Sequence, residues 1–527
     1  MAKCFINGVI RTMDPERPWA KAVAVSDGRF TAVGSNEDVL KYRQGGEVVD
    51  LRGRFVLPGL IDAHAHLLWF GQTLTQLDLS DCDSLNELRR RIAQRVKTLA
   101  PGEWLLGWGW HQERFAEREN PTRFHIDDLT PVNPVYLARS CTHTALVNKV
   151  ALDLAGIGPD TPDPSGGRIV RDESGDCNGL LHETAMQIVL SIIPPPTDKQ
   201  KEDMILAAMQ ECLKYGITSV HSIDAEGERL CRRLQSQGRL PLRVYLGDPV
   251  WKPEDLAALN GRTGEGDDWL RTGPAKLWQD GAFGPRTAAL STDYSDDPGN
   301  CGFLVHEPDI LKSLVVAATR AGRQLAIHAL GDLAMETSLD AIEAAMQFGA
   351  RRPRIVHCGV VNEAIVARMK RLRVIADMQP CFIPYEVDWM PKRLGPDREL
   401  QGYAIRTLKE AGICCTAGSD VPVDPVNPMI GIYGAVTRAG LGGLSDRVWN
   451  PRERVSVDDA LTMFTVNGAF AEFAEDRKGK IQVGYLADMV VLSDNLYEIA
   501  PMEILSTRTL ATFVGGETGW CAPDIGV

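Results

Sequence analysis

The run Val56-Leu57-Pro58-Gly59-Leu60-Ile61-Asp62-Ala63-His64-Ala65-His66 reads as an apolar strand that ends in His-x-His. Alternate strand residues point the same way, so His64 and His66 project together. Two imidazoles on one side can bind one metal ion, and imidazole suits Zn²⁺. A bare His-x-His is more often two satisfied histidines, but its place at a strand's C-terminal end, before a loop, favours a ligand pair. Similar apolar runs end in other reactive side chains. His328 follows Gln324-Leu325-Ala326-Ile327, His357 follows Arg354-Ile355-Val356, and Asp420 closes Thr416-Ala417-Gly418-Ser419. Lys276 and Asp280 lie in Ala275-Lys276-Leu277-Trp278-Gln279-Asp280-Gly281. One such residue means little; four histidines and an aspartate in strand register are hard to dismiss.

These positions need a scaffold that gathers strand ends. Apolar runs at 217–220, 242–246, 276–278, 325–327, 354–356, 374–376 and 413–416 alternate with helical stretches at 310–321, 334–348 and 363–370. Repeated strand–helix units argue for a parallel sheet, and this many favour a (β/α)8 TIM-like barrel, whose C-terminal strand ends converge on one mouth. A bare barrel needs about 250 residues, so the span 56–475 carries an excess. The strand–helix rhythm is poorest after the first strand, and residues 68–215 are expected to contain a lid-like insertion. Residues 1–55 and 476–527 read as short strands with Asn7-Gly8 and Asp27-Gly28 turn signals and further Gly punctuation. Neither end has enough strands alone, so the two are expected to share one small β-sandwich.

The order His-x-His, Lys, His, His, Asp resembles that of the metal-dependent amidohydrolase superfamily. The closer resemblance is to its third subgroup, the YtcJ-like proteins that include N-substituted formamide deformylases. The carrying motifs are residues 58–66, Lys276-Leu277-Trp278-Gln279-Asp280-Gly281-Ala282, Ala326-Ile327-His328-Ala329-Leu330-Gly331-Asp332 and Ala417-Gly418-Ser419-Asp420, and the match spans essentially the whole chain. The resemblance implies that His64, His66 and Asp420 hold a buried metal and that His328 and His357 hold a second, giving one or two Zn²⁺ per chain. Lys276 would ligate only if carboxylated by CO₂, because an ammonium has no acceptor. Otherwise it pairs with Asp280 or with a substrate carboxylate.

The implied activity is hydrolysis of an amide-type C–N bond (N-acyl, N-formyl or related) by a metal-activated water, with Asp420 as the general base and then acid. Deamination, cyclic amide opening and ester or lactone hydrolysis are open to the same centre. A non-catalytic scaffold is disfavoured, since every expected ligand type is present. Asp280 and Asp332 are candidates to orient the ligands.

Further residues are candidate substrate contacts. His143 lies in a stretch with Asn148 that also occurs in the subgroup, His221 ends the 217–220 run, and Arg286 sits in Gly284-Pro285-Arg286-Thr287, where it suits either a carbonyl or anion clamp or a structural ion pair. Trp108 belongs to an aromatic-rich stretch with Trp104, Trp110 and Phe115 that reads as core or as an apolar pocket wall. The expected partner is a small molecule with an apolar or aromatic group. The chain has 527 residues, 44% hydrophobic and 24% charged, with a net charge of −13 and no basic run. That composition excludes disorder and coiled coil and argues against nucleic acid and membrane surfaces, while leaving room for a homo-oligomer. The N-terminus lacks a signal-peptide pattern. Twelve scattered cysteines without C-x-x-C fit reduced thiols in a cytoplasmic protein.

Overall fold

The apolar stretch from Phe55 onward forms two strands, not one. In the computed structural model, which describes residues 2–43, 45–139, 143–441 and 446–523, Phe55–Pro58 joins a sheet of the chain ends, whereas Leu60–Ala65, here β1, enters a barrel. The chain turns at Gly59, where a Cβ would lie 2.1 Å from Thr218 Oγ1. Only glycine fits that approach.

Eight parallel strands make the barrel, in the order of the sequence: β1, β2 (Ile217–Ile223), β3 (Arg243–Pro249), β4 (Leu270–Trp278), β5 (Leu325–Ala329), β6 (Arg354–His357), β7 (Ile375–Met378) and β8 (Cys415–Ala417). They are buried on both faces, so they read as apolar runs rather than alternating ones. β4 is longer than its apolar run suggests, because Leu270-Arg271-Thr272-Gly273-Pro274 is also strand. Helices Pro308–Arg320, Asp332–Met346 and Glu363–Leu372 connect or follow strands, as their patterning requires.

Between β8 and β1 the barrel is nearly closed, and a carboxylate stitches the seam. Asp62 accepts hydrogen bonds from the Ser419 backbone N–H (3.0 Å) and hydroxyl (2.5 Å), and the Asp420 N–H donates to the His64 carbonyl at 2.7 Å. Gly418 permits this approach, since a Cβ there would lie 2.5 Å from the His64 nitrogen.

Strands from both chain ends form two further sheets. One contains Arg29–Gly34, Ala22–Ser26, Lys3–Ile6 and Val48–Asp50; the other contains Glu517–Cys521, Thr509–Val514, Met489–Leu492, Phe55–Pro58, Val9–Arg11 and Trp19–Ala20. They share an apolar layer that includes Phe5, Val25, Phe30, Val491 and Phe513, with the Phe5 and Phe513 rings 4.9 Å apart, edge to face. Asp27 and Gly28 both have positive φ (51° and 74°) and close the hairpin between Ala22–Ser26 and Arg29–Gly34, as a primed turn needs. Asn7-Gly8 does not close a hairpin: it carries the chain from one sheet to the other.

By compactness the chain divides into residues 1–70 with 205–527, and residues 71–204. The second unit is built on a six-stranded sheet, ordered Gly167–Arg171, Cys177–Glu183, Thr144–Val147, Val135–Arg139, Leu105–Trp110 and Leu77–Asp78. It carries two apolar clusters, one around Leu88, Ile92 and Trp110 and the other around Tyr136, Leu181 and Val189. Among the described residues no helix is long and apolar enough to cross a membrane.

Candidate metal centre

At the C-terminal end of β1, His64 is buried and His66 half-buried. One donor atom each from His64, His66 and Asp420 lie within 4.8 Å of one another. Asp420 Oδ1 is 3.2 Å from His66 Nε2 and 3.4 Å from His64 Nε2. Asp420 reaches this place with φ at +57°, and His357 likewise has φ at +76°. Left-handed backbone at non-glycine residues is costly and clusters at functional sites.

Lys276 lies deeper in the barrel than His328, since it pairs with Ala326 while Trp278 pairs with His328. Its Nζ is 3.1 Å from His64 Nε2 and 4.7 Å from the centre of the Trp278 ring. Burial lowers the pKa of its ammonium to about 8, with Asp420 and Asp377 pulling the other way. His357 and His328 adjoin this group: their rings are 4.4 Å apart and the His64 and His357 rings 5.9 Å apart.

The partners behind the rings fix which nitrogens are free. His66 Nδ1 faces the Ile223 carbonyl (2.8 Å), His357 Nδ1 faces Gln379 Oε1 (2.6 Å), and His328 Nε2 faces the Gly281 carbonyl (2.9 Å). Each acceptor takes the N–H of its ring, which assigns the tautomer and leaves the opposite nitrogen as a lone-pair donor. The freed His357 Nε2 and His328 Nδ1 are 3.0 Å apart, and two acceptors facing each other call for a cation between or beside them. Burial keeps these rings neutral. It lowers His64 and His328 well below the ordinary imidazole value and His357 to about 4. His66 differs: burial opposes its charge, but Asp420 raises it overall. Neutral imidazoles beside a carboxylate form a donor set that fits a divalent ion, Zn²⁺ among them.

Asp280 anchors the loops around this group. It accepts N–H bonds from Ala289 (3.0 Å), Leu330 (3.0 Å) and Gly331 (2.8 Å), and its Oδ1 is 3.6 Å from His328 Nε2. Burial pushes its carboxyl up to about 7 against those three N–H groups. Asp332 turns instead to the Ser291 N–H and hydroxyl.

Three of the four expected substrate contacts, His221, Arg286 and His143, have side-chain partners. His221 is buried lower in the barrel, with Arg354 Nη1 at 3.1 Å and Glu472 Oε1 at 3.3 Å. Arg286 forms an ion pair with Asp296 at 2.9 Å, so the ion-pair alternative describes its fork. In the second unit, the exposed His143 pairs with Glu183 at 3.0 Å, and Trp108 is 40% exposed. Ser140, Cys141 and Thr142 beside His143 lie outside the described residues.

Several contributing residues had weak sequence signals. Gln379 follows β7 directly, as a polar residue at a strand end. Arg354 and Asp377 form a buried ion pair, with Asp377 also 4.0 Å from His64 Nδ1. Asp62 stood inside the His-x-His motif without an assigned role.

The amidohydrolase family pattern matches residues 47–518. The chain belongs to the amidohydrolase family. It is 34% identical to YtcJ of Bacillus subtilis (strain 168), an alignment covering 98% of this chain and 99% of YtcJ. It is 30% identical to the N-substituted formamide deformylase of Arthrobacter pascens, over 97% of each chain. Among solved structures, an uncharacterized metal-dependent hydrolase from Pyrococcus furiosus superposes with a TM-score of 0.78 at 30% identity, covering 95% of this chain and all of that one. The gathered strand-end residues are thus found on an amidohydrolase barrel.

Proposed function

We propose that this amidohydrolase hydrolyses an amide-type C–N bond, N-acyl or N-formyl, in a small molecule with an apolar or aromatic part. The observation that carries the reading is the convergence of His64, His66 and Asp420 donor atoms within 4.8 Å, beside a histidine pair whose free nitrogens face each other. The deformylase relative, similar over nearly its whole length, supports the bond class. In this reading His64, His66 and Asp420 would hold one divalent ion and His328 and His357 a second, and Lys276, once carboxylated by CO₂, would add an oxygen ligand. Ions so held supply Lewis acidity toward water and toward a carbonyl oxygen.

The chain's own residues do the rest. Asp420 takes the proton of the attacking water and returns it to the leaving nitrogen, as one group must in amide hydrolysis. Burial raises the Asp420 carboxyl, but His66, His357 and Lys276 together bring it below its ordinary value, so the residue stays a carboxylate able to accept that proton. Ile223, Gln379 and the Gly281 carbonyl hold three imidazoles in the donating tautomer. His143 and Trp108 are retained as proposed substrate contacts in this reading.

The test is metal analysis of the purified protein together with a metal-loaded screen of N-formyl, N-acyl and cyclic amides. Stoichiometric metal with turnover of N-formyl or N-acyl amides is expected. A folded protein that takes up no Zn²⁺ and hydrolyses none of them would sink the reading.

A further inference from the structure

A cavity of about 400 Å³ opens on His328, His357 and Asp420. Its far wall is formed by the segment after β7 and the loop after β8. Phe382, Tyr385 and Trp389 give it aromatic faces, and Glu386 and Asp424 give it two carboxylates. Among the described residues, no lysine or arginine lines it. Behind this wall Arg393 stacks on Trp389 at 4.8 Å, is paired with Asp296 at 2.9 Å and also acts on Glu386 through its charge.

The two carboxylates are held differently. Glu386 Oε2 accepts the Tyr403 hydroxyl at 2.9 Å. Asp424 Oδ2 is shielded from solvent, and the Cys381 thiol is the side-chain donor that acts on this carboxylate. Burial raises both carboxyls, Glu386 to about 8 and Asp424 to about 7.

The geometry points to a substrate that carries an ammonium group beyond its amide. The amide lies at His328, His357 and Asp420, and the ammonium lies between Glu386 and Asp424 against the Trp389 and Tyr385 faces. Aromatic faces attract such cations, and a carboxylate bonds an ammonium far better than it bonds a hydroxyl. The inference rests on the hydrolase reading above for the amide, but not for the pocket's charge preference.

Calorimetry on the zinc-loaded protein separates the two. The probes are phenethylammonium chloride and 2-phenylethanol, which share a shape and differ in charge. Hydrogen bonds to charged groups exceed neutral ones enough that the ammonium should bind about tenfold to a hundredfold more tightly. That ratio should fall toward one in both Glu386→Gln and Asp424→Asn, with folding checked by circular dichroism and metal content unchanged. Either variant suffices if the other does not fold. Among amides that turn over, those with an aminoalkyl arm should show the higher kcat/KM over hydroxyalkyl counterparts, with the same loss in the variants. Equal affinity for the two probes, no binding of either, or a preference that survives in both variants would overturn the inference. A probe preference without turnover of any amide would instead keep the pocket and reject the hydrolase reading.

Discussion

Asp420→Asn separates the two tasks assigned to that carboxylate, holding an ion and moving a proton. The substitution keeps the size and one oxygen for the ion. It also keeps the backbone: Asp420 has φ at +57°, a region asparagine adopts readily, and its N–H still donates to His64. What is lost is proton acceptance near neutral pH. General acid–base catalysis contributes about 10²–10⁴-fold, so kcat should fall by that factor, or about 3–5 kcal/mol of barrier. The assay is metal content by mass spectrometry alongside kcat at saturating substrate, on one amide found in the screen. Retained metal with near-normal kcat would refute the reasoning and move the base elsewhere.

His64→Ala and His66→Ala should each lower metal content and abolish turnover; full occupancy with normal turnover in His64→Ala would remove it from the ligand set. Lys276→Ala should lose activity, with partial rescue by bicarbonate or a short carboxylic acid; an unmodified lysine in native mass spectra with two metals bound would exclude the carbamate. Glu472→Gln tests the layer beneath the site, where Glu472 is bound by Lys478 and His221. Burial raises its carboxyl, but Lys478 and then His221 bring it to about 2, below its ordinary 4.5. A folded-state pKa below the unfolded one stabilises above the unfolded value and is lost as pH falls through the folded one. The shift corresponds to about 3 kcal/mol, so the Tm gap between wild type and Glu472→Gln should be full at pH 7 and shrink from about pH 4.5 toward 2. A pH-independent gap would contradict the pairing.

The barrel was legible because parallel strands are covered on both faces and so leave unbroken apolar runs, each with a reactive residue at its C-terminal end. β4 was read short because Arg271, Thr272 and Gly273 interrupt its apolarity, although the backbone ladder continues through them. The break at Gly59 was hidden for a different reason. Phe55–Pro58 and Leu60–Ala65 are equally apolar, and only the approach of Thr218, distant in sequence, forces the glycine and the change of sheet.

The same distinction runs through the site. Residues that take their place from their own strand, such as His64, His66, His328 and His357, were readable from local spacing. Those whose role depends on a remote partner were not. His221 ends an apolar run as convincingly as His328 does, yet Arg354 and Glu472, from other parts of the chain, engage it lower in the barrel. Arg286 answers to Asp296, and Asp62 matters because Ser419 comes to it across the seam. Glu386 and Asp424 belong to this second group. A carboxylate in a loop after a strand is ordinary in sequence, and it becomes informative only when the fold sets it on the wall of one cavity with His328, His357 and Asp420. In the proposed reading the reaction rests on strand-end residues and the choice of substrate on the loops that follow them, where spacing alone carries no address.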